Sequence, residues 1–173
     1  MQHTDTQHKI FLYPGGFHFA TDAGMHIHTI LGSCISISLW HPQLHIGGMC
    51  HFVLPERSES ESAIPDGRYG DDAMELFRCA VSNCGTQLHE YQGKIFGGSN
   101  IFGLMSGSGE DLIGTRNAQK ALELLIMNNI ETLVVHVGES GYRRIVFDVD
   151  SGDVWVKHSF AERAPLKNFT HHY

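Results

Sequence analysis

Polar and apolar residues alternate along two stretches near the amino end. From His26 to Trp40 the chain reads as a strand interrupted at Gly32, and in its second half Ile35, Ile37 and Leu39 alternate with Ser36, Ser38 and Trp40. Cys34 shares the parity of the two serines, so it does not point into the aliphatic face. His41-Pro42 ends this strand. Leu44 to Leu54 reads as a second strand, closed by Pro55, with a weak point at Gly47-Gly48 that suggests a bulge or a close backbone approach. Two later stretches follow the helical period. Ala73, Phe77, Ala80, Val81 and Cys84 stripe a helix over about Asp71 to Asn83, with Gly85 as its C-cap candidate, and Ala118, Ala121, Leu122 and Leu125 stripe another over about Thr115 to Asn128. Lys94 to Phe102 reads as a strand around Gly97-Gly98, Thr132 to Val137 as a β-branched strand, and Tyr142 to Val149 with Val154 to Lys157 as a hairpin. Residues 1–10 read as a frayed polar lead, 56–67 and 103–112 as polar flexible loops, and the chain after Lys157 as loose. There is no internal repeat. Hairpins mixed with two helices predict an α+β fold.

Composition narrows the function classes. The chain has 173 residues, 42% of them hydrophobic and 18% charged, which suits one domain with a real core. A net charge of −7 without a basic tract argues against nucleic-acid binding, because phosphate neutralisation supplies most of that affinity. Arg143-Arg144 is too sparse for a polybasic membrane patch. No run approaches the roughly 18 apolar residues of a membrane span. The amino-terminal segment lacks a cationic region and a long apolar region, so no signal peptide is expected. A cytoplasmic placement is expected with it, and Cys34, Cys50, Cys79 and Cys84 are expected to be thiols.

Chemistry concentrates at Gly32-Ser33-Cys34 and at His51 on the next strand. Small residues before the cysteine let a substrate approach the sulfur and free backbone N–H groups, those of Ser33 and Cys34 included, for an oxyanion. Neighbouring antiparallel strands can set Cys34 and His51 side by side, and a close imidazole can hold a thiol as thiolate. Such a pair suits acyl chemistry on an amide. The competing reading is packing, since cysteine is among the most buried residue types. Packing is also the reading for Cys50 and for Cys79 with Cys84, whose spacing lacks the second pair of a zinc site. His26 and His28 share a strand face, but no acidic cluster accompanies them to make a metal site with Cys34 or His51. Gly97-Gly98 lacks a phosphate-binding context and reads as structure or as the wall of a site. Arg116, at a helix start against the dipole, is either a functional contact or a tolerated surface charge. Tyr69 either lines a site or packs.

These residues also carry a family resemblance. Leu31-Gly32-Ser33-Cys34, followed by Ile46 to Pro55 (IGGMCHFVLP), resembles CheD, the chemoreceptor glutamine deamidase. Arg68-Tyr69-Gly70-Asp71, the run Lys94 to Phe102 (KIFGGSNIF), Ile113 to Asn117 (IGTRN), Phe147-Asp148 and Val154 to Lys157 (VWVK) extend the likeness, in order, over roughly residues 26–158 of one CheD-like domain with polar termini.

The resemblance implies a layered arrangement of stacked mixed β-sheets flanked by helices. It implies conversion of selected receptor glutamines to glutamate with release of ammonia, without metal or cofactor. Cys34 falls on the family's nucleophile and His51 on its general base. A threonine shortly before the cysteine completes the family's triad; Thr29 is the nearest candidate, and an offset of one residue would put His28 there, with a backbone group orienting the base. Methyl-accepting receptors are the implied substrates, and a CheC-type phosphatase of CheY is an implied partner. There are departures: Ser99 and Ile101 stand where Ala and Met are expected, and Glu139 and Tyr142 replace glycines. With the enlarged loops they motivate a second reading, a binding module that regulates a CheC-type phosphatase or docks on receptors with little catalysis. A third, transglutaminase-like amine transfer, differs only in the acceptor.

Overall fold

The interruption at Gly32 is a change of sheet. Strand β3 (Met25–Leu31) and strand β4 (Ile35–His41), which the sequence presents as one interrupted strand, lie in different sheets. The computed structural model describes residues 8–58, 64–100 and 113–160. A four-stranded sheet runs in the order β1 (His8–Phe11), β3, β8 (Tyr142–Asp148), β9 (Val154–Ser159). A five-stranded sheet runs in the order β2 (Phe17–Ala20), β5 (Ile46–Cys50), β4, β6 (Gln92–Gly97), β7 (Glu131–Val137). Both are mixed: β1 pairs parallel with β3 and β6 parallel with β7, and the other pairings are antiparallel.

Side-chain alternation sorts the layers. Ile35, Ile37, Leu39, Cys50 and Phe52 point to one side of the five-stranded sheet, where helices α1 (Gly70–Asn83) and α2 (Ile113–Met127) supply Phe77, Val81, Ala121 and Leu125. The other side contributes Met49 and Phe96 to a second core with Ile27, Leu31, Ile145 and Phe147 of the four-stranded sheet. The order is therefore helices, five-stranded sheet, four-stranded sheet, an α+β stack. Trp40 Nε1 donates to the Val149 carbonyl at 2.7 Å and Lys94 Nζ to the Gly152 carbonyl at 2.8 Å, tying the sheets at one end.

Several expectations change. His8 to Phe11 is a strand, not part of a frayed lead, because β3 offers it a parallel edge. The strand at Gly97-Gly98 stops at Gly97, where φ turns positive; residues 98–100 are not strand, and Ile101 and Phe102 lie outside the described residues. Gly47 and Gly48 make no bulge. They are close approaches, where a Cβ would meet the Leu39 and His18 carbonyl oxygens at 2.3 and 2.6 Å. The register break falls instead at Gly93/Lys94. The expected stack of mixed sheets flanked by helices is found, and among the described residues both helices pack on the five-stranded sheet. The helical stripes and the hairpin fall where their periods put them, within a few residues.

Candidate active site

β4 and β5 pair with Ser38 opposite Met49, and the ladder continues beyond β5 to a bridge between Ile35 and Phe52. That register sets Ser36 across from His51 and Cys34 one diagonal away on the same face. Diagonal neighbours lie about 7–8 Å apart at Cα, within side-chain reach. Cys34 is half-buried against the core between the sheets, and His51 is 2% exposed. The backbone of His51 is held by the turn before β2, through Gly15 N–H to its carbonyl at 2.7 Å and its own N–H to the Gly16 carbonyl at 2.9 Å.

The histidine ring is oriented from the facing sheet. Thr29 on β3 donates its hydroxyl proton to the Leu12 carbonyl at 2.7 Å. Its oxygen, 2.8 Å from His51 Nδ1, must then accept, so the proton of the neutral ring sits on Nδ1. The free lone pair is on Nε2, which is buried and has no hydrogen-bond partner among the described residues. Ser36 Oγ, across the ladder, is likewise buried without a partner. Of the two positions considered for the threonine, Thr29 faces His51. His28 points to the other side of β3, away from the core holding Ile27 and Leu31.

Burial sets the charge states. It pushes the His51 pKa from its ordinary 6.5 down to about 4, against a smaller opposing effect of the Leu12 carbonyl. It also raises the Cys34 thiol, opposed by the cysteine's own backbone N–H. Burial thus favours the uncharged form of each group, thiol and imidazole. The arrangement suits proton transfer during attack, with Nε2 as acceptor.

The loop carrying the thiol is clamped from behind. Gly98 N–H reaches the Cys34 carbonyl and Ser99 N–H the Gly32 carbonyl, both at 2.9 Å. Gly97 has φ +114°, and a Cβ there would meet the Cys34 carbonyl oxygen at 2.1 Å, so only glycine fits. Asn117, fully buried on α2, donates from Nδ2 to the Ser33 carbonyl at 3.1 Å and to the Val53 carbonyl at 2.8 Å. These bonds use the carbonyls of Gly32, Ser33 and Cys34. The N–H groups of Ser33 and Cys34 donate to no backbone group among the described residues.

A family model described as CheD chemotactic sensory transduction matches residues 53–158. The chain belongs to the CheD family. It is 47% identical over 161 residues, 93% of this chain and 94% of the relative, to a protein of Dechloromonas aromatica named probable chemoreceptor glutamine deamidase CheD 3. It is 46% identical over 147 residues, 84% of each chain, to a probable chemoreceptor glutamine deamidase CheD 2 of Albidiferax ferrireducens. A CheD of Pseudomonas syringae pv. tomato bearing the same kind of name is 42% identical over 152 residues, 87% of this chain and 89% of that one. The family-model match begins just after His51, so Thr29, Cys34 and His51 precede it.

Two residues around this CheD site carry no sequence signal of their roles. In the sequence Asn117 is only part of a motif at a helix entry, and its link to Ser33 spans 84 positions. Arg143 reads as half of a sparse basic pair, yet it is fully buried. Its guanidinium donates to His136 Nδ1 at 2.8 Å, Ser99 Oγ at 2.6 Å and the Gly138 carbonyl at 2.8 Å. The departures at positions 99 and 139 both meet this arginine: Ser99 accepts from it, and Glu139 lies 3.9 Å from it and 3.2 Å from His158. Cys50 faces the helices, and burial pushes its thiol up to about 12. Among the described residues no group of His, Cys, Asp and Glu could hold a metal, and no helix is long and apolar enough to cross a membrane.

Proposed function

We propose that this protein deamidates glutamine side chains of chemotaxis receptors, on their cytoplasmic helices; its relatives' names state chemoreceptor glutamines as the substrate. Cys34 is the nucleophile, His51 the general base and Thr29 the residue that orients it. As Sγ attacks the carboxamide carbon, its proton passes to His51 Nε2. The oxyanion is met, across the small Gly32, by the N–H groups of Ser33 and Cys34, which donate to no backbone carbonyl among the described residues. When the C–N bond breaks, the imidazolium returns the proton to the leaving nitrogen, and ammonia departs. Water then attacks the thioester carbonyl and gives a proton to His51. The C–S bond breaks, glutamate is released and the thiol is restored. Neither metal nor cofactor takes part. The observation that carries this reading is the Thr29–His51 hydrogen bond, which leaves the one free lone pair of the ring on Nε2, beside the thiol's face of the sheet.

The test is intact-peptide mass spectrometry of receptor cytoplasmic fragments incubated with the wild type and with Cys34→Ala. A glutamine-to-glutamate mass gain at discrete positions, present only with the wild type, is expected. No gain across several receptors with folded protein would replace this reading with a binding module that docks on receptors or on a CheC-type phosphatase, to be sought by pull-down.

A further inference from the structure

The face of the four-stranded sheet that points away from the core is built differently from the rest of this acidic chain. Two of its rows follow from the register. Phe11, His28, Val146 and Trp155 align across the four strands, and Ile30, Arg144 and Lys157 align in the next row toward the Cys34 end. Phe11, Ile30 and Trp155 are 44%, 38% and 53% exposed, large values for apolar side chains on one sheet face. Arg144 and Lys157 are exposed and stand directly opposite each other on an antiparallel pair. Like charges in that relation repel and destabilise the pair. Neither has a carboxylate within 4 Å among the described residues, although the chain as a whole carries 19 acidic residues against 12 basic ones. Asp148, beside His26, and Asp150, bound to the Gly24 N–H, lie at the other end of the sheet, and Glu139 at this end turns to the inward-facing Arg143 and His158. His28, in the first row, stands next to the Arg144–Lys157 cation pair. Its pKa is lowered by burial first, then by Lys9, His26 and Arg144.

A cation pair without a carboxylate partner among the described residues, beside a row that begins and ends in an aromatic ring, fits a ligand that is anionic on one stripe and apolar on the next. Carboxylates at i and i+4 of a helix lie about 5–6 Å apart, matching the roughly 5 Å between directly opposed cross-strand side chains. Ile30 is four residues from Cys34, at most about 14 Å of chain. A helix of about 20 residues is about 30 Å long and spans that distance with turns to spare. A membrane surface fits less well. Each basic residue contributes only about 1 kcal/mol there, and two do not make the polybasic patch that a lipid surface needs.

We propose that the outer face of the four-stranded sheet, through Arg144 and Lys157 with Ile30, Phe11 and Trp155, is the docking surface for an acidic amphipathic helix of the substrate. The identity of that helix as a receptor segment rests on the function proposed above. The docking surface lies outside the Cys34–His51 machinery and raises its efficiency by holding the target glutamine near the thiol.

Binding and turnover test the two readings separately. Affinity for a receptor cytoplasmic fragment is measured by calorimetry in the Cys34→Ala background, at low and high salt. Arg144→Glu/Lys157→Glu is expected to lose about tenfold or more in affinity and most of the salt dependence. Lys157→Gln, a milder change that keeps the fold if the double reversal does not, is expected to lose about threefold. In the Cys34-containing protein the double variant is expected to raise KM for the fragment while leaving kcat unchanged, along with turnover of a short glutamine peptide that carries no acidic residues. Unchanged affinity in the variants, or no binding of the fragment by the parent, overturns the docking surface. So does binding to phosphatidylserine vesicles that the variants lose while fragment binding stays intact. Charge-dependent binding by a protein that turns over neither fragment nor peptide upholds the docking surface and overturns the deamidase reading instead.

Discussion

Cys34 and Cys50 belong to the same strand pair and face opposite sides of it. Cys50 points at the helices, is fully buried and has its thiol pushed up to about 12, so it packs as a small apolar group. Cys34 points between the sheets, is half-buried and shares its face with His51 and Ser36, whose buried Nε2 and Oγ have no partner among the described residues. Period two separates chemistry from packing: a shift of one residue would exchange the two thiols. A buried polar atom without a partner costs about 1–3 kcal/mol. Among the described residues the polar face of these strands carries two of them, and the strand residues on the helix-facing side carry none.

The largest effect expected is a loss of activity at Cys34 without loss of fold. Cys34→Ala should remove ammonia release altogether, whereas Cys50→Ala should keep activity and lose on the order of 1–2 kcal/mol in a denaturant titration, through the cavity it leaves. Equal activity losses in the two variants would erase the distinction. At His51, replacement by Gln should lower kcat by about 100-fold or more with little change in KM, as expected for removal of a general base. Thr29 comes next. Thr29→Val leaves the buried His51 N–H unpaired and should cost about 1–3 kcal/mol in transition-state stabilisation, or roughly 10- to 100-fold in kcat, while Thr29→Ser should restore most of it. Asn117→Ala frees the Ser33 and Val53 carbonyls in a dry site; a stability loss of about 1–3 kcal/mol is expected, read by thermal unfolding.

The smallest effects are in pH dependence. The native His51 pKa of about 4 lies below its ordinary 6.5. Between those values the unfolded chain binds a proton that the native protein does not. Stability is therefore full above pH 6.5 and falls as pH drops toward 4, by on the order of 2–3 kcal/mol. His51→Gln should flatten that slope. In the free wild-type enzyme kcat/KM should hold until pH approaches 4, where protonation removes the base. A limb near 6.5 would mean that the ring is solvated. Because burial raises both thiols, iodoacetamide labelling at neutral pH should favour the exposed Cys79 over Cys34 and leave Cys50 untouched.

Much of the site is legible in the sequence because strand parity is local. The alternation of Ile35, Ser36, Ile37, Ser38 and Leu39 is enough to place Cys34 on the polar face, and the two helical stripes locate the cover on the other side. What stays hidden depends on contacts between distant residues. No spacing rule links Thr29 to the Leu12 carbonyl, Asn117 to Ser33, or Arg143 to Ser99. Glu139 in a glycine's place reads as a mere departure until it lies 3.2 Å from His158, in a backbone conformation with φ +59° that few side chains adopt.

By itself the sequence determined the side-chain alternation, the helix positions, the small residues before Cys34 and the absence of a basic tract. All of these are properties of neighbours a few bonds apart, where sterics and burial period decide. Only the tertiary structure decided that the chain changes sheet at Gly32, which of Thr29 and His28 meets His51, that Arg143 is buried while Arg144 is not, and that burial favours the uncharged thiol and imidazole. Each depends on which surfaces meet when two sheets stack, and on how much water is removed from between them.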